Sequence, residues 1–143
     1  MLRKIIDKAF ECAFECLKRN DIPIGAVVFD LETLEIISFS GNKVELNKNP
    51  LHHAEILALN QAFEVLNDKN LENCGIYATL EPCSMCMGAI SHAHIKKVFF
   101  GAYQNQKLIK EHKPEEILGG FSEEKSKELI KSFFKNLRDE NNS

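Results

Sequence analysis

Pro82-Cys83-Ser84-Met85-Cys86 follows one residue after the strand-like run "GIYATL" (75–80) and opens the helix-like stretch "SMCMGAISHA". This junction constrains the chain more than any other feature. Two cysteines three apart at a helix N-terminus face the same side. There the helix dipole and free N–H groups favour thiolate, the form that ligates metal. Alone, the pair would suit redox chemistry or packing equally well. With no second cysteine pair nearby, a four-cysteine structural site is excluded. Two thiolates need another ligand, and histidine is the natural third. Three protein ligands with one open position is the catalytic arrangement for zinc.

About thirty residues earlier, "LHHAEILALN" supplies His52, His53 and Glu55 at the start of an apolar run of helical period. Asn49-Pro50 before it predicts a helix entry, with an N-cap residue ahead of a proline. Residues two apart on a helix face about 200° apart, so His53 and Glu55 converge only at its first turn. That geometry and the spacing to Glu55 select His53 as the ligand and leave His52 as its neighbour. Zinc in such a site lowers the pKa of water to about 7, and an unligated carboxylate beside it can carry the proton. Glu55 is the candidate for that role.

The surrounding pattern fits one unit over residues 1–143. Residues 2–18 carry an apolar stripe of helical period, including Ile5, Ala9, Phe10, Ala13 and Cys16. "IGAVVF" (24–29) and "LEIISF" (34–39) read as a hairpin pair, and "GNKVELNKNP" as a polar loop. Strands are expected at 75–80 and 96–102, a weaker one at "EEILGGF", and an amphipathic helix at "KSKELIKSFFKNLR". Helices alternating with strands predict an α/β domain, a three-layer α/β/α sandwich around a mixed central sheet of about five strands. Neither a repeat nor a linker interrupts it.

Five cysteines is an odd number and argues against a disulfide framework, so Cys12, Cys16 and Cys74 read as small buried hydrophobes. No apolar run approaches the roughly 20 residues of a membrane span, and the N-terminal stretch lacks the pattern of a secretory signal. A cytoplasmic location is the expectation. Residues 1–95 hold 8 basic and 13 acidic side chains, whereas 96–143 hold 10 basic and 8 acidic. Any polyanion would therefore meet the C-terminal third. His92, His94 and His112 have no partner motif and read as surface or packing residues.

His53-Ala54-Glu55 with Pro82-Cys83-x-x-Cys86 resembles the zinc-dependent cytidine/deoxycytidylate deaminase superfamily. "DIPIGAVVF", "GNK", "HAEILAL", "TLEPCSMCMGAI", "VFFGA" and "SFFKNLR" bring the likeness closest to the bacterial tRNA adenosine deaminases. The resemblance implies a cytidine-deaminase-like fold, a homodimer, one zinc ion per subunit, and deamination of the wobble adenosine of a tRNA anticodon stem-loop. It makes His53, Cys83 and Cys86 the zinc ligands and Glu55 the proton shuttle. Asn42 would hold the target nucleotide, and Ile24, Ala54 and Leu80 would line the base pocket.

The likeness is interrupted after "FFGA". There Gln104 replaces an acidic residue of the relatives, and the segment from Tyr103 to the last helix is shorter. Lys127, Lys131, Lys135 and Arg138 form one basic stripe on that helix, and the resemblance turns Lys135 and Arg138 into candidate phosphate contacts. Two alternatives stay open: deamination of a free base or nucleoside of guanine or cytosine type, and a non-catalytic zinc-binding partner subunit.

Overall fold

The structure is a computed structural model that describes residues 2–104 and 114–141. Its elements run α1 (Arg3–Leu17), β1 (Gly25–Asp30), β2 (Ile36–Gly41), α2 (Val44–Asn47), α3 (Ala54–Leu66), β3 (Cys74–Leu80), α4 (Ser84–His92), β4 (Lys97–Ala102), β5 (Glu116–Leu118) and α5 (Glu123–Asn141). Five strands form one sheet in the order β2-β1-β3-β4-β5. β1 is antiparallel to both β2 and β3, while β3–β4 and β4–β5 are parallel, so the sheet is mixed, as expected.

Alternation along the strands explains the layers. Ala26 and Val28 of β1, with Ile76 and Ala78 of β3, face one side and bury against α3 and α4 through Ala54, Ala58, Leu59, Met87 and Ile90. Val27, Phe29 and Tyr77 face the other side and meet Ile5 and Ala9 of α1. α5 joins that second layer where Leu129 packs with Phe10 and Ala13. The closeness of α1 to the sheet has a specific cause. A Cβ at Gly25 would lie 1.8 Å from the Ala9 carbonyl oxygen, so only glycine admits the crossing. Each large buried side chain such as Phe29 or Tyr77 contributes roughly 1.5–3 kcal/mol by leaving water. Cys12, Cys16 and Cys74 are buried, as their pattern predicts.

Three sequence expectations need correction. β2 starts at Ile36 rather than residue 34. The Asp30 carboxylate accepts the N–H groups of Glu32 and Thr33, and Leu34 takes a left-handed conformation, so the turn consumes two residues read as strand. The polar loop after Gly41 contains the short helix α2, which ends where Lys48 adopts φ 51°. α3 begins at Ala54, not after Pro50. The Asn49 side chain accepts the Leu51 N–H, closing a local turn instead of capping the helix. His53 takes the N-cap position with extended backbone, and Asn67 in the left-handed region stops α3 at its other end.

Candidate active site

β3 delivers Leu80 and Glu81 to the rim of the sheet, and Cys83 caps α4 with φ −69° and ψ 172°. Beside it, His53 caps α3 with a similar extended backbone. Two helix N-termini thus meet beyond the C-terminal end of β3, where open α/β sheets place their ligand sites. The late start of α3 sharpens the predicted geometry: His53 and Glu55 lie on either side of the helix tip and can serve one point.

His53 Nδ1 lies 3.7 Å from Cys83 Sγ and 3.5 Å from Cys86 Sγ. The three donor atoms all lie within 4.8 Å of one another. A tetrahedral zinc with bonds of about 2.3 Å to sulfur and 2.05 Å to nitrogen sets sulfur and nitrogen about 3.6 Å apart. The donor set and its spacing fit that ion. Cys86 is fully buried beneath the site, and Cys83 and His53 are half-buried above it.

Glu55 is 4% exposed and stands outside the three-donor group. Burial pushes its carboxyl up to about 7, partly opposed by its own backbone N–H and by His53. A hydrogen bond from Cys86 lowers Cys83 most strongly, His53 assists, and Cys83 carries the thiolate. The same bond, with burial, raises Cys86. Within the pair the charge is therefore favoured on Cys83 and the proton on Cys86. Contact with Cys83 raises His53. A bound cation would take the place of these protons.

Above the cluster opens a cavity of about 960 Å³, lined by His53, Glu55 and Cys83 at one end. Asn42, Ile24, Ala54 and Leu80, which the resemblance places on the pocket, all line it. Asn42 is buried, donates its N–H to the Ile24 carbonyl at 3.0 Å, and accepts the Val44 N–H through Oδ1 at 3.3 Å. His52 does not join the donor group. Its Nδ1 meets Asn47 Nδ2 at 2.9 Å and its Nε2 meets Asn49 Nδ2 at 3.0 Å. Its ring therefore braces the turn that leads into His53.

Sequence reasoning missed several residues of this cavity. Arg19, Asp21, Glu81 and Gln104 line it, as do Ile130, Phe133, Phe134 and Leu137 of α5. Gln104 N donates to Glu81 Oε1 at 2.8 Å, and its side chain donates to the Glu81 carbonyl at 3.1 Å. This link ties the end of β4 to the turn before Cys83. Phe134 and Leu137 were legible as the apolar stripe of α5, but both stay exposed enough to face the cavity. Lys135 and Arg138 are exposed and are not among the residues lining it. Lys127 is engaged by Glu123 at 3.2 Å and Glu124 at 3.8 Å within the helix. Asn105, Gln106 and His112 lie outside the described residues.

A five-stranded mixed sheet between helices, with a His-Cys-Cys cluster and a separate buried carboxylate at two helix tips, defines a cytidine-deaminase-like protein. The chain belongs to the deaminase family described as MafB19-like, whose model matches residues 2–138. It is 43% identical over 145 residues to a tRNA-specific adenosine deaminase of Rickettsia bellii, spanning 92% of this chain and 97% of that one. A solved structure of a tRNA deaminase that edits A to I at the wobble position superposes with a TM-score of 0.81 at 30% identity, covering 88% of this chain and 98% of that chain. A guanine deaminase from Bacillus subtilis superposes with a TM-score of 0.64 at 35% identity, covering 72% of this chain and 66% of its own.

Proposed function

We propose that this chain is a zinc-dependent tRNA adenosine deaminase, which turns the wobble adenosine of an anticodon, with water, into inosine and ammonia. The observation that carries the reading is Glu55, buried and outside the His53-Cys83-Cys86 group. A structural metal site has no use for such a carboxylate. The likeness to an adenosine deaminase over 92% of this chain and 97% of that one supports the substrate.

His53 Nδ1, Cys83 Sγ and Cys86 Sγ would hold the zinc. When bound, zinc supplies a Lewis acid that makes water acidic near neutral pH. Glu55 accepts a proton on its carboxylate, delivers it to the adenine ring nitrogen N1, and then serves the departing amine. A carboxyl with its pKa near the working pH suits both directions of transfer. Asn42 orients the nucleotide. Ile24, Ala54 and Leu80 surround the base and exclude water. An anticodon loop offers unpaired bases that can be turned outward for a few kcal/mol or less. Lys135 and Arg138 on α5 would meet phosphates beyond the cavity.

Residues 1–143 would act as one domain, in the cytoplasm where thiols stay reduced. Among the described residues no helix is long and apolar enough to cross a membrane. Exposed Leu46, Leu51 and Met85 on the segments around the site would pair two copies into a homodimer. Glu55→Ala tests the mechanism: the variant keeps its zinc and its fold and loses deamination. Release of ammonia at the normal rate would refute the shuttle.

A further inference from the structure

Asp21 is 1% exposed and is not part of the metal group, yet it lines the cavity. Its Oδ1 accepts the Glu45 N–H at 2.7 Å, and its Oδ2 accepts the Leu46 N–H at 3.2 Å. These amides open α2, whose N-cap, Lys43, makes no side-chain cap bond. A carboxylate from more than twenty residues earlier thus supplies the cap that the local sequence lacks. Arg19 completes the arrangement. Its Nη2 donates to the Asn42 carbonyl at 3.0 Å. Its buried Nε has no hydrogen-bond partner among the described residues and stands 3.8 Å from Asp21 Oδ2.

The chain Asp21–Arg19–Asn42 therefore fixes one wall of the cavity from behind. The Asn42 N–H, carbonyl and Oδ1 are all engaged, by Ile24, Arg19 and Val44 respectively. Its Nδ2 has no partner among the described residues and remains for a substrate acceptor. A cap that served α2 alone would not need the guanidinium, and a guanidinium serving only solvent would not reach the Asn42 carbonyl. We propose that Arg19 and Asp21 are positioning residues that hold Asn42 and α2 against the cavity, and so set substrate affinity without acting on the chemistry at the metal. This rests on the deaminase reading for its substrate, while the clamp itself is a property of the fold.

The test uses the zinc-loaded full chain carrying Asp21→Asn or Arg19→Gln, each alone and combined with Asn42→Ala. Inosine formation on an anticodon stem-loop gives KM and kcat, and metal analysis gives zinc content. Hydrogen exchange reads the Glu45 and Leu46 amides. Each single variant should raise KM roughly tenfold, what losing one charge-assisted hydrogen bond is worth. The accompanying kcat should stay within about threefold, because the chemistry is untouched. Zinc should be unchanged, and the two amides should exchange faster in Asp21→Asn. On the Asn42→Ala background each substitution should raise KM less than it does alone, because part of the positioning acts through the Asn42 side chain. Additive losses on that background, or a fall in kcat at constant KM, would overturn the proposal. So would unchanged exchange in Asp21→Asn. Should the wild-type chain turn over no stem-loop, the functional reading falls, and amide exchange still decides whether the clamp exists. Arg19 is partly exposed, so Arg19→Gln keeps the proposal falsifiable if Asp21→Asn does not fold.

Discussion

His53 Nδ1 and Cys86 Sγ, 33 residues apart in the chain, stand 3.5 Å from each other at the tips of two helices. That spacing is what a shared tetrahedral ion imposes. Backbone geometry sets it: β3 and α4 place the sulfurs, and the end of the α2–α3 turn places the imidazole.

The neighbouring histidines should separate cleanly. His53→Ala removes one of the three candidate donors and should lose most of the zinc. His52→Ala should retain it, because the His52 ring is engaged by Asn47 and Asn49 on the far side of the turn. Zinc per chain, measured on both purified variants, decides this. Equal retention would contradict the ligand assignment.

Thiol chemistry should report the same site. In metal-free protein Cys83 is the thiolate, stabilised by Cys86 and His53, so it should alkylate first at pH 6. Burial pushes Cys12 and Cys74 up to about 11, and both should resist alkylation at pH 8 while the protein stays folded. Zinc added before the reagent should protect Cys83. Peptide mapping by mass spectrometry identifies the modified position.

Burial of Glu55 gives a pH dependence with a definite sign. Its folded pKa is raised to about 7, above its ordinary value of 4.5. The group therefore favours the fold fully below about pH 4.5, and that contribution is lost as pH rises through 7. Glu55→Gln removes the titration. In metal-free protein at pH 8 the variant should be more stable than wild type by up to about 3 kcal/mol. At pH 4.5 that gain should vanish. Chemical denaturation at the two pH values measures it, and a constant difference would refute the assignment.

Packing offers an independent check on the layers. Phe29 is fully buried between the sheet and α1. Phe29→Ala should cost about 3–5 kcal/mol with zinc binding preserved in the folded fraction. A loss of under 1 kcal/mol in unfolding free energy would mean that this layer is not packed as described.

Much of this molecule was legible in its sequence for identifiable reasons. The grouping of His53, Cys83 and Cys86 was legible because few residue types can ligate a metal and their spacing is tied to helix tips. Sheet strands such as Cys74–Leu80 are buried on both faces and read as continuous apolar runs. The start of α3 was misplaced because Asn49 and Pro50 are equally good turn and cap residues, and the Leu51 N–H bond to Asn49 with the His52 contacts favours the turn. Arg19 and Asp21 carried no local signal, since their partners Asn42, Glu45 and Leu46 are more than twenty residues away. Nor could periodicity show that the exposed edge of the α5 apolar stripe faces the cavity while Lys135 and Arg138 do not line it.

The substrate can be identified in one assay. Zinc-loaded protein is given, in parallel, an anticodon stem-loop with adenosine at the wobble position, free adenosine, guanine and cytosine. Inosine and ammonia are then measured. A tRNA adenosine deaminase should form inosine in the stem-loop at that position, with ammonia released in equal amount and little turnover of the free compounds. Ammonia from guanine or cytosine with an untouched stem-loop would contradict it.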